Sequence, residues 1–380
     1  MTTLRDLETP ALLLDEARMT ANIERLRERL QGVGRGRVRL RPHLKTLKSV
    51  QAARRVMDSP AGPATVSTLR EADEFAAAGV TDILYAVSIA PNKFAHVSRL
   101  RASGVDLSVV LDNVEAATAL AAHARASGDR IPVLIEVDSD GHRSGVSPGS
   151  PLLVDIARAL DRAAACELRG VMTHAGASYD SFSAEAKVAM AEQERAAAVR
   201  SAEFLRAAGF AAPVVSVGST PTAHCAESLE GVTEVRAGVF VCFDLVMAGL
   251  NVCGTQDIAL SVLTSVIGHQ RDKGWIIVDA GWMAMSRDRG TASQPVDQGY
   301  GLVCDEAGEP MADLIMSSAN QEHGILSLRP GSTARLPDLP VGTLLRVLPN
   351  HACATAAQHE SYRVMQGQTV TAYWPRFHGW

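Results

Sequence analysis

Residues 106–138, DLSVVLDNVEAATALAAHARASGDRIPVLIEVD, contain the pattern from which the architecture can be predicted. Its ends, DLSVVL (106–111) and VLIEVD (133–138), are short runs rich in β-branched residues, whereas the Ala-rich segment between them has a helical period. That segment ends at Gly128, as helix C-termini often do. A strand, a helix and a second strand in this order predict two parallel strands joined by a crossover helix.

The same alternation extends in both directions, from about residue 38 to residue 244. The eight predicted strands are VRLRPHL (38–44), ATVSTL (64–69), DILYAV (82–87), DLSVVL (106–111), VLIEVD (133–138), LRGVMTHA (168–175), VVSVGS (214–219) and EVRAGVFVCFD (234–244). Eight parallel strands favour a closed (β/α)8 barrel, the TIM barrel of the α/β class. A doubly wound open sheet has the same periodicity, but the first strand is not followed by the Gly-rich turn typical of dinucleotide folds.

After Gly254 the sequence changes to β-rich runs separated by turn residues, with little helical period. These runs are IALSVLTSVIGHQ, GWIIVDAGW, YGLVCD and TLLRVLPNHA. A chain of 380 residues also exceeds the size at which single cores usually stop growing. We therefore predict a barrel domain over 1–254 and an all-β domain over 255–380, to which the N-terminal ETPALLLD adds a strand.

The composition, 47% hydrophobic and 21% charged, is that of a globular protein. The net charge is −5 and the Lys and Arg residues are scattered, so the sequence predicts no nucleic-acid and no membrane partner, and a small molecule instead. The N-terminus lacks a basic segment leading into an apolar run, and no apolar stretch reaches membrane-spanning length, which predicts a cytoplasmic protein. The six cysteines are dispersed and are expected to be reduced thiols.

Candidate working residues lie where predicted strands end, because barrel active sites are built at the C-terminal ends of the strands. Lys45 follows the first strand, Arg143 follows the fifth, and Tyr179 comes soon after the sixth, which ends near His174. The seventh strand ends in Gly-Ser-Thr (218–220), at the position where such barrels commonly bind phosphate through backbone N–H groups. The sequence thus predicts that these polar groups collect on one face of the barrel.

Seven ordered motifs carry a resemblance that covers nearly the whole chain: RPHLKT, HRSGV, VGSTPT, EVRAG, DAGWMAMSRDRG, NQEHGIL and PNHAC. The chain resembles the fold-type III pyridoxal-phosphate enzymes related to D-serine dehydratase and D-threonine aldolase. That family is similar in fold to alanine racemase, a barrel plus a β domain that works as a dimer. The resemblance therefore implies pyridoxal 5'-phosphate as cofactor and a homodimer.

The resemblance also implies roles for individual residues. Lys45 would hold the cofactor as a Schiff base, Arg143 would lie beside its ring near the phenolic oxygen, and Tyr179 would contact the ring. The phosphate would rest on Gly218, Ser219 and Thr220, with Gly238 and Val239 completing its cradle. Purely structural roles are the alternatives: a surface ion pair for Arg143, a core edge for Tyr179 and a bulge for Gly238.

The C-terminal PNHACAT contains a His-x-Cys pair, His351 and Cys353. In an extended segment residues i and i+2 point to the same side, so imidazole and thiolate can converge on one ion. Nitrogen and sulfur ligands suit zinc, and cobalt, nickel or manganese are further candidates. Weaker candidates, each with an equally plausible structural role, are Asp279, Ser286, Asp288, Gln321, Glu322 and His323.

The resemblance implies a lyase that eliminates water from a D-3-hydroxy amino acid with help from a divalent metal. The favoured substrate is D-threo-3-hydroxyaspartate, giving oxaloacetate and ammonia, and D-serine, giving pyruvate and ammonia, is the alternative. Retro-aldol cleavage uses almost the same groups, but the related aldolases carry His-x-Asp where this chain has Cys353, which favours elimination. A non-catalytic pyridoxal-phosphate carrier would need no metal ligands. Arg41, Arg287 and Arg289 are available for a second substrate carboxylate.

Overall fold

The computed structural model describes residues 2–161 and 165–380. The chain forms two compact units, one made of Arg25–Gly238 with the last two residues, and the other of the segment up to Glu24 together with Val239–His378. We call them the barrel unit and the β unit. Among the described residues, no helix combines the length and the apolar character needed to cross a membrane.

The chain opens with three elements, β1 (Thr2–Thr3), β2 (Ala11–Asp15) and α1 (Glu16–Val33). The elements that follow up to Gly238 are β3 (Arg39–Leu40), α2 (Val50–Val56), β4 (Ala64–Val66), α3 (Leu69–Ala77), β5 (Asp82–Ser88), α4 (Phe94–Ala102), β6 (Asp106–Leu111), α5 (Val114–Ser127), β7 (Ile131–Val137), α6 (Pro151–Asp161), β8 (Cys166–Thr173), α7 (Ala184–Ala207), β9 (Val214–Val217), α8 (Thr220–Cys225) and β10 (Glu234–Val235). Strand and helix alternate as the sequence predicts.

The strands β3 to β10 form one parallel sheet with the order β3-β10-β9-β8-β7-β6-β5-β4. A parallel bridge between His43 and Thr65 joins the segment after β3 to β4, so the strand order closes on itself. Strand β7 is buried at every position, as expected of a parallel strand covered on both faces. Inside the sheet, Leu84, Leu134 and Met172 pack in one apolar cluster with Val110.

Polar caps fix where the helices of the barrel unit begin. The side chains of Thr68, Asn113 and Ser183 each accept a hydrogen bond from a backbone N–H in the first turn of α3, α5 and α7. Helix α5 ends at Gly128, which adopts a left-handed conformation with φ +69°. The helix that opens with PLLVDIARAL is described as far as Asp161, and the predicted helical residues 162–164 lie outside the described residues.

The later elements form the rest of the β unit. They are α9 (Leu245–Gly249), β11 (Leu260–Gln270), β12 (Trp275–Val278), α10 (Trp282–Met285), β13 (Gly301–Cys304), β14 (Pro310–Ala319), β15 (Gly324–Leu328), β16 (Leu344–Pro349), α11 (Ala352–Ala356), β17 (Ser361–Gln366) and β18 (Thr369–Pro375). All ten strands of the β unit, β1 and β2 included, belong to one sheet.

Six of these strands close into an antiparallel ring, β11-β12-β15-β14-β13-β16, because β16 pairs with β11 as well as with β13. Strand β2, formed by ALLLD, pairs with β11 antiparallel and with β17 in parallel. Its residues Ala11 and Leu13 pack with Leu4, Leu263 and Met365 in a buried apolar cluster. The N-terminal strand is therefore part of the β unit's core.

Two features differ from the sequence analysis. The predicted eighth strand, 234–244, is a regular strand at Glu234–Val235. Its backbone hydrogen bonds to the neighbouring segments continue as far as Ala237, and the chain then turns through a 3-10 segment at Val239–Val241. The division between units falls at Gly238 and Val239, whereas the prediction placed it after residue 254. The chain leaves the barrel unit at Gly238, but the next long strand begins only at Leu260. The prediction placed the boundary too late because it relied on the start of the β-rich sequence.

Candidate active site

Lys45 lies in a turn that follows the barrel-closing bridge between His43 and Thr65. The turn is tied to the sheet because the Leu44 N–H donates to the Thr65 carbonyl at 2.8 Å. Leu44 is fully buried, while the Lys45 side chain is exposed. The amine therefore projects from a fixed base at the C-terminal end of the first strand, which is the position the sequence predicts.

Arg143 lies in the loop after β7, and the parallel bridge between Val137 and Val146 closes that loop at its base. Its guanidinium is 4.0 Å from the buried carboxylate of Glu136. The Arg143 side chain is nevertheless 52% exposed, so this ion pair does not occupy it fully. The arrangement keeps the guanidinium at the rim and leaves it free to approach a bound molecule.

The segment after β8 carries two aromatic rings. His174 and Tyr179 have ring centroids 6.3 Å apart, and the Nδ1 atom of His174 is 3.0 Å from the carbonyl oxygen of Gly218. The turn Gly176–Asp180 that holds Tyr179 is fastened to the Arg143 loop, because the Ala177 N–H donates to Asp140 at 2.7 Å. The predicted Arg143 and Tyr179 thus come from neighbouring loops.

Close backbone contacts place Gly218 against Arg236, and Gly238 against His43 in the segment that follows the first strand. Gly218 has φ +137°, and a Cβ there would lie 2.1 Å from the carbonyl oxygen of Arg236. A Cβ on Gly238 would lie 2.8 Å from the carbonyl oxygen of His43. Glycine is required at both positions because no side chain fits between these backbones. Three segments that are far apart in sequence therefore meet close to Lys45.

The hydrogen bonds around Ser219 differ from the predicted phosphate cradle. The N–H of Gly218 donates to Glu194 at 3.0 Å, and the N–H of Ser219 donates to the Thr222 hydroxyl at 3.0 Å. These two backbone donors are therefore engaged within the protein. The Thr220 hydroxyl, in contrast, is buried and has no hydrogen-bond partner among the residues that the structure describes. An unsatisfied buried hydroxyl is costly unless a ligand completes it, so Thr220 fits an anion such as a phosphate group.

Val239 is the remaining predicted member of the cradle and is buried at the start of the β unit. Glu194 is a residue that the sequence analysis missed. Its carboxylate accepts hydrogen bonds from the N–H groups of Ala175 at 2.9 Å and Gly218 at 3.0 Å. Burial raises the pKa of Glu194, although these hydrogen bonds act in the opposite direction. Glu194 holds the segments after β8 and β9 together.

The electrostatics of this part of the barrel unit favour an anionic ligand. Burial lowers the pKa of His174 to about 3, although its hydrogen bond to Gly218 opposes the shift. Burial also lowers the pKa of His43 well below its usual value. The nearby cations Lys45 and Arg143 lower both pKa values further. The cations Lys45 and Arg143 lie beside imidazoles that are themselves neutral, and a phosphate ester can be attracted by these two positive side chains.

The second candidate site lies in the β unit, where His351 and Cys353 are hydrogen-bond partners. The prediction that both lie on one side of an extended strand is wrong. Strand β16 ends at Pro349, and His351 is the N-cap of the short helix α11, so Cys353 lies in the first helical turn. The two side chains still come together, since an N-cap residue and the first turn of a helix are close neighbours.

A carboxylate completes the surroundings of His351. The Nδ1 atom of His351 is 2.6 Å from an oxygen of Asp288. Burial alone would lower the pKa of His351, but the hydrogen bonds with Asp288 and Cys353 raise it to about 11. The His351 imidazolium likewise holds the pKa of the Asp288 carboxyl below its usual value. A metal binds the neutral form of imidazole, so an ion and a proton would compete for His351.

The donor set fits a metal only in part. No group of three or more His, Cys, Asp and Glu side chains among the described residues is arranged to hold an ion. Imidazole nitrogen and thiolate sulfur are suitable ligands for zinc and for related divalent metals, but catalytic zinc usually has about three protein ligands. His351 and Cys353 therefore fit an ion whose other positions are filled by water or substrate.

The other candidates have structural contacts. Asp279 accepts hydrogen bonds from the Thr264 hydroxyl at 2.7 Å and the Ser265 N–H at 2.9 Å, which fixes the end of β12. Ser286 accepts the N–H of Asp288 at 3.2 Å. The Gln321 carbonyl accepts the N–H of Met283 at 3.1 Å. These residues shape the β turns around the site.

The arginines considered for a substrate carboxylate differ in availability. Arg41 is buried and bonded to Glu234 at 2.9 Å and Asp82 at 2.7 Å, so its charge is already neutralised. Arg289 is paired with Asp297 at 2.8 Å. Arg287 is exposed, with its guanidinium carbon 5.2 Å from the centre of the Trp282 ring.

A closed parallel barrel with a lysine after its first strand, together with a separate ring of antiparallel strands, is the architecture of alanine racemase-like enzymes. Comparison with known families agrees. The chain belongs to the family described as alanine racemase, N-terminal domain, which matches residues 14–245, and residues 259–365 match the putative serine dehydratase domain. The predicted fold class and the predicted family are therefore confirmed.

Curated relatives span the whole chain. D-threo-3-hydroxyaspartate dehydratase of Delftia sp. is 54% identical over 100% of this chain and 99% of its own length. D-serine dehydratase of Dictyostelium discoideum is 26% identical, with 99% of this chain and 98% of that protein covered. A 3-hydroxy-D-aspartate aldolase of Paracoccus denitrificans is 27% identical, with 97% and 92% covered. The dehydratases among these relatives are lyases, which confirms the predicted enzyme class.

A solved structure of the Delftia enzyme superposes on this chain with a TM-score of 0.94 and 53% identity, covering 100% of both chains. A cysteine-to-alanine mutant of that enzyme, described as the metal-free form, gives a TM-score of 0.95 with 52% identity over 100% of both chains. These structures extend the similarity from the sequence to the complete fold of both units.

Proposed function

We propose that this chain is a pyridoxal-phosphate-dependent lyase that removes water from D-threo-3-hydroxyaspartate and yields oxaloacetate and ammonia, with a divalent metal as a second cofactor. The observation that carries this proposal is the 54% identity with the Delftia dehydratase over the whole chain. The water lost in elimination is returned when the unsaturated amine hydrolyses, so one substrate gives one keto acid and one ammonia.

In the barrel unit, Lys45 would hold the cofactor and its amine would remove the α proton of the substrate. When bound, pyridoxal phosphate supplies an electron sink for the negative charge that develops at Cα. The Thr220 hydroxyl would satisfy its missing hydrogen bond on the phosphate. Arg143 would donate to the anionic ring oxygen, and the Tyr179 ring would pack against the bound cofactor. The neutral His174 imidazole adds no further charge there.

In the β unit, His351 and Cys353 would hold the metal. A bound divalent ion supplies a Lewis acid that stabilises the negative charge on a departing hydroxyl. Hydroxide is a poor leaving group, so elimination gains more from such help than deprotonation does. Loss of water breaks the Cα–H bond and the Cβ–O bond of the substrate. Lys45 would take the proton from Cα, and the ion held by His351 and Cys353 would assist the departure of the hydroxyl from Cβ.

Two neighbouring activities remain as alternatives. The similarity to D-serine dehydratase supports D-serine as a second substrate, with pyruvate and ammonia as products. The similarity to a 3-hydroxy-D-aspartate aldolase supports cleavage of the Cα–Cβ bond. Cys353 favours elimination, because the related aldolases resemble this chain with aspartate in its place. A carrier protein that only binds the cofactor would have no use for a metal site.

Arg287 is the arginine that we assign to the second carboxylate of the substrate. Its two competitors are neutralised by carboxylates at 2.7–2.9 Å, while Arg287 is exposed. We also propose, on the grounds of the family resemblance, that the enzyme works as a homodimer in the cytoplasm. Analytical ultracentrifugation of the purified protein tests the dimer, and a monomer at micromolar concentration would contradict it.

The assignment of Lys45 is tested by comparing Lys45→Ala with Lys48→Ala. Lys48 lies three positions along the chain and is paired with Glu71 at 3.4 Å, so it is a matched control. We expect Lys45→Ala to lose the visible absorbance of the lysine-bound cofactor and Lys48→Ala to retain it. Retained absorbance and dehydratase activity in Lys45→Ala would contradict the proposal.

The assignment of the metal pair is tested with His351→Ala. This variant should keep the cofactor absorbance and bind less divalent metal, while formation of keto acid falls. Removing the metal from the wild-type protein with a chelator should have the same effect, and adding Zn²⁺, Mn²⁺, Co²⁺ or Ni²⁺ back should restore activity. Full activity in metal-free His351→Ala would remove the metal from the mechanism.

A further inference from the structure

The loop that follows α10 makes a contact with His351 that the proposed reaction does not explain. A carboxylate oxygen of Asp288 in this loop lies 2.6 Å from the Nδ1 atom of His351, which is the distance of a charge-assisted hydrogen bond. When Nδ1 is bonded to a carboxylate, Nε2 is the nitrogen left for an ion. The contact therefore determines that Nε2 is the nitrogen of His351 that can bind an ion.

The backbone of Asp288 is held in place from two directions. The Asp288 N–H donates to the Ser286 hydroxyl at 3.2 Å, and Ser286 adopts a left-handed backbone conformation with φ +74°. The Asp288 carbonyl accepts the side-chain amide of Asn350 at 3.2 Å, and that amide also donates to Gly299 at 2.7 Å. Asn350 directly precedes His351 and is buried. The buried side chain of Asn350 thus ties the Asp288 backbone to the residue that directly precedes His351.

The alternative is that Asp288 only neutralises a protonated surface histidine. An exposed ion pair needs neither a buried amide nor a strained turn, because such pairs contribute little and are usually mobile. Here, the Asp288 and His351 side chains are only 36% and 43% exposed, and both backbones are anchored. The rigid geometry is what a metal-binding histidine needs to keep its ring oriented.

We infer that Asp288 is a positioning residue that orients the His351 imidazole toward the metal. The inference rests on the proposed function, because it requires His351 to be a metal ligand. Asp288 does not touch the ion or the substrate; it fixes the tautomer and the ring angle of the residue that does. The motif DAGWMAMSRDRG, to which Asp288 belongs, gains a role in metal binding through this contact.

The experiment measures Co²⁺ binding to the pyridoxal-phosphate-loaded protein after the native metal is removed. Equilibrium dialysis gives the Kd, and the visible d–d bands of Co²⁺ report the ligand geometry. We expect Asp288→Ala to raise the Kd about 10–100-fold. Asp288→Asn should raise it less, since the amide oxygen still accepts the Nδ1–H, but the d–d bands should shift. Asp338→Asn is the control, because Asp338 is exposed and its partner is Arg271 at 3.3 Å.

The outcomes separate this inference from the proposed function. If Asp288→Ala and Asp288→Asn bind Co²⁺ as tightly as the wild type while His351→Ala does not, the inference is wrong and the proposed metal site stands. If the wild type binds no Co²⁺, or His351→Ala binds it unchanged, both are wrong. If Asp288→Ala does not fold, Asp288→Asn decides, because it keeps the shape of the side chain; unchanged affinity and d–d bands in that variant overturn the inference.

Discussion

Replacing Glu194 by alanine tests whether one buried carboxylate holds the cofactor-binding segments together. Its oxygen accepts the N–H groups of Ala175 and Gly218, so Glu194→Ala leaves two buried donors unpaired. Each unsatisfied donor costs about 1–3 kcal/mol, which gives a loss of about 2–6 kcal/mol. The raised pKa of Glu194 shows that burial already opposes its charge, so removing that charge offsets part of the loss. We therefore expect the free energy of unfolding to decrease by about 2–4 kcal/mol, which is the lower half of the range for two unpaired donors.

The assay is urea denaturation of Glu194→Ala beside Glu192→Ala. Glu192 lies on the same helix α7 but is 54% exposed and pairs with Arg195, so its loss should cost about 0–1 kcal/mol. Hydrogen exchange should also be faster for the peptides that contain Ala175 and Gly218. In Glu194→Gln an oxygen remains to accept both N–H groups, and most of the stability should return. Equal stability of Glu194→Ala and Glu192→Ala would show that the Glu194 carboxylate does not hold these segments together.

Further predictions concern the glycine contact and the pH dependence. Gly218→Ala should abolish cofactor binding, because its Cβ would lie 2.1 Å from the Arg236 carbonyl; Gly209→Ala, with φ +90° but open space around its Cβ, should cost only about 1–2 kcal/mol of backbone strain and keep the cofactor. Equal cofactor affinity of the two variants would contradict this reasoning. The cofactor-free protein should lose stability as the pH falls from 6.5 toward 3, because the unfolded state protonates His174 while the folded state, with a pKa of about 3, does not. The urea midpoint should therefore fall less between pH 7 and pH 5 in His174→Gln, although His43 and His224 titrate in the same direction and keep part of the effect. An unchanged pH dependence would contradict the assignment to His174.

The sequence was sufficient for the order of the strands because each one is a short β-branched run ended by turn residues. It overestimated the last of these, EVRAGVFVCFD, which has the composition of a strand. The regular strand covers Glu234–Val235 and its backbone hydrogen bonds end at Ala237, because Gly238 then approaches the His43 backbone and Phe243 takes a left-handed conformation with φ +49°. Such turns depend on long-range contacts, which local periodicity does not contain.

The residues of the candidate site were likewise predictable where a local pattern marks them, and not where their role depends on long-range contacts. Lys45 could be found because strand ends of a barrel are working positions, and the His351 and Cys353 pair because of its spacing. Glu194 could not be found, since a glutamate in the helical run AEQERAAA has the pattern of a solvent-exposed face. Its burial depends on contacts with residues 19 and 24 positions away. For Asp288, 63 residues from His351, a motif match indicated importance but not the partner.

The products formed from D-threo-3-hydroxyaspartate show which bond of the substrate the enzyme breaks. The holoenzyme should convert it to equal amounts of oxaloacetate and ammonia, and a chelator should stop both. Glyoxylate and glycine as the products would show that the Cα–Cβ bond breaks and that the enzyme is an aldolase. No turnover of this substrate or of D-serine by the metal-loaded, cofactor-bound protein would contradict the proposed dehydratase altogether.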